Sequence, residues 1–193
     1  MKVLLVLLLV VVVGCGLFAP PKAPTLVAAT PPLPEDADSL AWAESEPLFL
    51  VVRKECKTLD VYEHGRRIES FAVVLGRGGP GRKLYEGDRK TPSGLYSIVA
   101  GHRHPRWQHF FLLDYPNLQD RDRYEAARMA GELPLRGGGY PGLGGLVGIH
   151  GTDKPDLNQQ QFDWTFGCVS LDPAGIRKLT KIVTPGTLVL IQD

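Results

Sequence analysis

Ile149-His150-Gly151-Thr152, a polar loop, and then Asp163-Trp164-Thr165-Phe166-Gly167-Cys168-Val169-Ser170-Leu171 form the stretch on which the reading of this chain turns. The first half reads as an apolar strand ending in a histidine, and the second as a strand headed by a glycine-led cysteine. Two such strands side by side put an imidazole beside a thiol. A free thiol has a pKa of about 8.5 and is mostly protonated at neutral pH, so it needs a neighbouring imidazole to take its proton or hold the thiolate. The pattern assigns Cys168 as nucleophile and His150 as proton acceptor and donor. Glycine at 167 lets backbone approach closely, so the N–H groups of Gly167 and Cys168 are candidate donors to the oxyanion formed when sulfur attacks a carbonyl. A second reading stays open on these residues alone: in an exported protein Cys56 and Cys168 can join as a disulfide.

Outward from this segment, short β-branched runs alternate with Gly, Pro and charged turns. Leu48 to Arg53, Leu59 to Tyr62, Ile68 to Leu75, Leu95 to Val99, Phe110 to Leu113, Leu146 to His150 and Leu188 to Gln192 are the strand candidates. Asp172-Pro173 before Ala174 to Ile182 reads as an N-cap with proline at the first helical position. A weaker helix signal covers Asp120 to Ala130. The expectation is a mainly β (α+β) domain with one or two short helices around one core.

The 193 residues carry 22 Lys+Arg against 21 Asp+Glu, a net charge of +1 with the two signs interleaved, which argues against nucleic acid as a partner. Three cysteines are too few for a disulfide-stapled mini-protein. Met1-Lys2 followed by the apolar run Val3 to Val13 has the length of a signal peptide and is short for a bilayer span. The run ends in Val12-Val13-Gly14-Cys15, which resembles the lipobox of bacterial lipoproteins and implies a lipid on Cys15. An uncleaved anchor extended through Ala19, or an ordinary signal peptide, are the alternatives. All three place the remainder outside the cytoplasm, in the cell envelope. Residues 1–15 are then the leader and 16–46 a tether rich in proline (Pro20, Pro21, Pro24, Pro31, Pro32, Pro34), with the folded domain over 47–193. At about 3.1 Å per residue the stretch from Ala19 to Glu46 reaches on the order of 80 Å.

Other conspicuous residues carry less. Gly76-Arg77-Gly78-Gly79-Pro80-Gly81-Arg82-Lys83 lacks the Lys-Ser/Thr ending and the following helix of a phosphate loop. Gly137-Gly138-Gly139 with Gly142, Gly144 and Gly145 reads equally as a lid or a plain loop. His102, His104 and His109, interleaved with Arg103 and Arg106, read as a surface loop in preference to metal ligands, so neither a metal nor a cofactor is expected. Asp88 reads as a turn cap or a contact to a substrate amine, and Trp164 as a packing anchor beneath the cysteine loop, with contact to ligand as its alternative. Arg82, Lys83, Arg89 and Lys90 read as a solvated face, the alternative being contact with acidic groups of a ligand.

Several separate segments together resemble the L,D-transpeptidase catalytic domain, or YkuD family. These are Ile149-His150-Gly151, Thr165-Phe166-Gly167-Cys168-Val169, and Glu86-Gly87-Asp88-Arg89-Lys90-Thr91-Pro92-Ser93-Gly94-Leu95-Tyr96. Asp114-Tyr115-Pro116-Asn117, Asp120-Arg121 and Asp163-Trp164-Thr165 resemble a branch whose cysteine motif is Asp-Trp-Thr-x-Gly-Cys. The resemblance implies a β-sandwich whose cysteine attacks a peptide carbonyl of peptidoglycan stem peptides, next to a meso-diaminopimelate-type residue. It carries over Cys168 as nucleophile, His150 as base and acid, Gly167 and Cys168 as oxyanion donors, and the Gly151 carbonyl as the group orienting the imidazole. The acyl-enzyme then meets an amine or water. The family contains both transferases and hydrolases, with transfer preferred here, and a non-catalytic wall-binding lipoprotein is the reading from another class. Phe166 and Ser170 stand where many members carry basic or amide side chains. An apolar Phe166 removes a charge that would lower the thiol pKa, which throws more of the activation onto His150.

Overall fold

The computed structural model describes residues 46–193. The expected leader, the lipid site at Cys15 and the tether up to residue 45 lie outside the described residues. In chain order the elements are β1 (Leu48–Arg53), β2 (Thr58–Glu63), β3 (Arg66–Val74), β4 (Gly94–His104), β5 (Gln108–Leu113), α1 (Leu118–Met129), β6 (Gly148–His150), α2 (Pro155–Gln159), β7 (Val169–Leu171), α3 (Pro173–Leu179) and β8 (Leu188–Gln192).

The fold is mainly β, as expected, with three short helices instead of one or two. The strands close in the order β1-β2-β3-β7-β6-β5-β4-β8. The anticipated sandwich is thus joined at both edges: β3 pairs with β2 in one layer and β7 in the other, and β4 pairs with β8 and with β5. Closure leaves no open edge strand among these eight.

Local chemistry explains most boundaries. Asn117 and Asp120 form a reciprocal capping box, each side chain accepting from the other's backbone N–H, so α1 starts before the expected Asp120. Asp172 caps α3 by accepting from Gly175 N–H, with Pro173 at the first position. β4 runs beyond the expected Val99 to His104, because residues 100–104 pair with β5 while lying largely exposed, and so carry no apolar signal. This puts His102, His104 and His109 on paired strands, not in the surface loop expected.

Alternation along β5, β6 and β7 decides where the chemistry sits. Phe111, Ile149, Val169 and Leu171 point into the barrel core. Phe110, His150 and Ser170 therefore point to the outer face of the same sheet. Ile149 is fully buried, and its truncation to alanine is expected to cost about 2–5 kcal/mol and to loosen the strand that carries His150.

Candidate active site

β6 and β7 run parallel, with Ile149 opposite Val169 and His150 opposite Ser170. Cys168 immediately precedes β7, at the rim of the outer face on which His150 lies. His150 is 1% exposed. Its ring stacks on Trp107 at 4.1 Å and lies edge-on to Trp164 at 5.9 Å. Trp107 stacks in turn on His104 at 4.2 Å, and Arg106 ties this hairpin to Asp153 through Nε and Nη2 at 2.8 and 2.5 Å.

His150 Nδ1 donates to the carbonyl oxygen of Gly151 at 2.5 Å. That contact holds the proton on Nδ1 and leaves Nε2 as an acceptor. Burial pulls the imidazole down to about 4, against the pull of the Gly151 carbonyl, and nearby His104 adds to the depression. A neutral ring with a free Nε2 is the form a general base needs. Ser170 Oγ donates to the same carbonyl at 3.2 Å, and Asn158 Nδ2 donates to both the carbonyl and the hydroxyl oxygen of Ser170. Asn158 Oδ1 accepts from Trp164 Nε1 at 3.0 Å. The hydrogen bonds thus run in series from Trp164 to the imidazole.

The thiol lines a cavity of about 320 Å3, walled on one side by Gly144, Gly145 and Leu146 and on another by Phe166 and Arg89. Sγ donates to the carbonyl of Leu146 at 3.7 Å, and no hydrogen bond joins it to His150. Burial pushes the thiol up to about 11, while the backbone N–H of Gly148 and the positive charge of Lys83 favour the thiolate. Gly148 can supply that N–H because its neighbours Val147 and Ile149 turn their own polar groups toward β5, as Leu113 N–H bonding Val147 O shows. Cys56 and Cys168 are both free, so the Cys56–Cys168 disulfide is not formed.

One backbone assignment needs correction. The Gly167 N–H is turned inward and donates to Thr165 Oγ1 at 3.2 Å. It is committed within the turn, so it does not face the cavity as an oxyanion donor. The N–H groups of Cys168 and Gly148 remain as the candidates. Gly167 has another reason to be glycine: its φ is +134°, and a Cβ there would lie 2.8 Å from Lys90 O. Thr165 completes the turn by donating to Cys168 O at 2.7 Å.

The remaining expectations divide. Asp88 organises its loop, accepting from the N–H groups of Leu84, Tyr85 and Lys90 and pairing with Lys83 at 2.7 Å. Lys83 is therefore a buried partner of Asp88 and no part of a solvated face. Of the glycine-rich run, Gly144 and Gly145 form a cavity wall, and the preceding segment is held by Tyr124 donating to Pro141 O and Tyr115 donating to Leu143 O. The loop at Gly76 packs by backbone against the Arg89 carbonyl. A larger groove of about 780 Å3 lies between the β4–β5 hairpin and α3 but contains no thiol.

Residues 46–191 match the family model of the L,D-transpeptidase catalytic domain, YkuD. The chain belongs to the L,D-transpeptidase catalytic domain family. Among curated proteins it is 28% identical over 152 residues to YafK of Escherichia coli strain K12, a proposed L,D-transpeptidase, covering 76% of this chain and 50% of YafK. Among solved structures, the helical cell shape determining protein Pgp2 of Campylobacter jejuni is 25% identical, with a TM-score of 0.55 over 76% of this chain and 47% of Pgp2. An L,D-transpeptidase from Mycobacterium smegmatis shares the fold at 14% identity, TM-score 0.50, over 76% of this chain and 59% of that one. This L,D-transpeptidase-family chain spans about half the length of YafK and of Pgp2.

Proposed function

We propose that the domain acts on peptidoglycan stem peptides as a cysteine L,D-transpeptidase. In this reading the Cys168 thiol turns from the Leu146 carbonyl and gives its proton to His150 Nε2 as sulfur attacks a peptide carbonyl. The oxyanion is met by the Cys168 and Gly148 N–H groups. His150 returns the proton to the departing amine, the C–N bond breaks, and a thioester on Cys168 remains. An acceptor amine or water then attacks the thioester carbonyl, with His150 taking its proton and returning it to the Cys168 sulfur as the C–S bond breaks. Because burial holds the thiol high, the proton transfer accompanies attack; no standing thiolate is needed.

The observation that carries this reading is the 2.5 Å hydrogen bond from His150 Nδ1 to Gly151 O, which keeps a neutral imidazole with Nε2 free on the sheet face bordered by the thiol. Family membership supplies the substrate class. Transfer to an amine is the preferred outcome. The leader, the lipid on Cys15 and the proline-rich tether form the part of the proposal that concerns location: an envelope enzyme reaching the wall from a membrane.

Mass spectrometry of the full chain mixed with stem tetrapeptides tests the proposal. A thioester on Cys168, absent in Cys168→Ala and strongly reduced in His150→Ala, is expected, followed by crosslinked product when an acceptor stem is added. Unchanged turnover by Cys168→Ala would overturn the mechanism. Release of acid without transfer would reassign the enzyme as a hydrolase.

A further inference from the structure

Phe166 is 67% exposed, an unusual position for a large aromatic ring unless something uses it. Two guanidinium groups from separate loops stand over it: Arg77 at 4.5 Å from the ring centroid and Arg89 at 5.6 Å. Both arginines are exposed, and neither has a carboxylate partner among the described residues. Arg89 and Phe166 line the same cavity as the Cys168 thiol.

The three loops that carry them are held together by backbone. A Cβ on Gly76 would lie 2.3 Å from Arg89 O, one on Gly78 would lie 2.2 Å from Asp88 O, and one on Gly167 would lie 2.8 Å from Lys90 O. Gly78 N–H donates to Arg89 O at 2.8 Å, and Arg77 N–H to Thr165 O at 3.0 Å. Arg89 itself sits in the left-handed region, φ 58°, a conformation an arginine keeps only where the surrounding contacts demand it. The loops are therefore built to present this pair of guanidiniums on the Phe166 ring, with Arg89 at the cavity that holds the thiol. Of the other charges lining the cavity, Lys83 is matched by Asp88, and Glu86 has no salt-bridge partner among the described residues.

We propose that Arg77 and Arg89, aligned on the Phe166 ring, form a carboxylate clamp that binds a free carboxylate of the acyl-donor peptide at the mouth of the Cys168 cavity. This rests on the proposed reaction for its choice of ligand. Guanidinium groups suit the task because they pair with a carboxylate through several N–H groups while their planar faces rest on an aromatic ring. Phe166 thus supplies by recruitment the positive charge that its own side chain lacks.

Two measurements on the full chain test the clamp. The first alkylates Cys168 with iodoacetate and with iodoacetamide at mildly alkaline pH, followed by site-resolved mass spectrometry with exposed Cys56 as internal reference. In Arg77→Gln/Arg89→Gln the iodoacetate-to-iodoacetamide rate ratio at Cys168 is expected to fall about fivefold. An Arg66→Gln/Arg177→Gln variant of equal net charge should keep the native ratio. The second compares stem peptide with its carboxylate-amidated form. Amidation should raise KM about tenfold with little change in kcat in the native protein, and have little effect in the double variant. An unchanged alkylation ratio, or equal KM for both peptides in the native protein, would overturn the clamp. Absence of any stem-peptide adduct in every variant would instead remove the proposed reaction, while the alkylation ratio would still decide whether the arginines attract an anion to the thiol.

Discussion

The carbonyl of Gly151 receives the Nδ1 proton of His150, its own chain neighbour, at 2.5 Å. A backbone group thereby does for this imidazole what a carboxylate does in a Ser-His-Asp triad, setting tautomer and orientation without adding a charge. That no carboxylate among the described residues contacts the ring matters for basicity, because burial dominates and the ring stays neutral well below its ordinary range.

His150 should make folding stability depend on pH in a defined window. The folded ring titrates at about 4, below the ordinary value of about 6.5, so between those values the unfolded chain binds a proton that the folded chain does not. Stability therefore falls as pH drops through this window and is level above it, with His150 contributing on the order of 3 kcal/mol. His109, also lowered by burial, acts in the same direction. Urea unfolding between pH 7 and pH 4 should show the loss, and His150→Gln should remove its larger part. An equally steep curve in the variant would contradict the assignment.

Cys168 should be a sluggish thiol until a substrate arrives. With burial pushing it up to about 11, neutral iodoacetamide at pH 7 should label exposed Cys56 at least tenfold faster than Cys168, and labelling of Cys168 should climb steadily above pH 8. Peptide-resolved mass spectrometry measures both rates in one sample. Faster labelling of Cys168 at neutral pH would mean a resting thiolate.

Ser170 and Asn158 should matter to the reaction without touching substrate. Ser170→Ala removes the hydroxyl that shares the Gly151 carbonyl and should cost about 1 kcal/mol of stability. Asn158→Leu strands Trp164 Nε1 and one carbonyl contact of Ser170, and should cost about 2–3 kcal/mol. Thermal unfolding gives the stabilities. In both variants kcat should fall and the acid limb of the pH profile should move, because the imidazole is less firmly held. A rate loss with an unmoved pH profile would argue for a packing role alone.

Gly151→Ala should be among the most damaging single changes in the site. The added Cβ would lie 2.2 Å from the carbonyl oxygen of Trp107 and 2.9 Å from Ile176 Cγ2. The hairpin that stacks Trp107 on His150 would have to move, at a cost of about 3 kcal/mol or more. Near-ultraviolet circular dichroism, which reports the indole's surroundings, and thermal unfolding should both change. A native spectrum and melting point would refute this packing account.

Much of the architecture is legible in the chain because its signals are local. β-branched runs mark β1 and β8 to the residue, and Asp172-Pro173 marks the start of α3. The order His150 then Cys168, each at a strand end with a following or preceding glycine, is enough to pair thiol and imidazole in thought. α2, of five residues, is too short to show a period. The exposed half of β4 carries no apolar alternation, and so the histidines on it look like loop residues.

What the amino-acid order determined by itself was most of the strand inventory, the helix cap and the candidate thiol and imidazole, since propensity, periodicity and acid–base character belong to residues and their near neighbours. What only the tertiary structure decided was which groups meet: Trp107 against the imidazole, Ser170 and Asn158 behind the Gly151 carbonyl, Gly148 N–H at the sulfur, and two arginines over Phe166. Those meetings depend on barrel register and on backbone packed against backbone at glycines. Neither leaves a mark in the spacing of residues, because each joins segments that the chain itself keeps far apart.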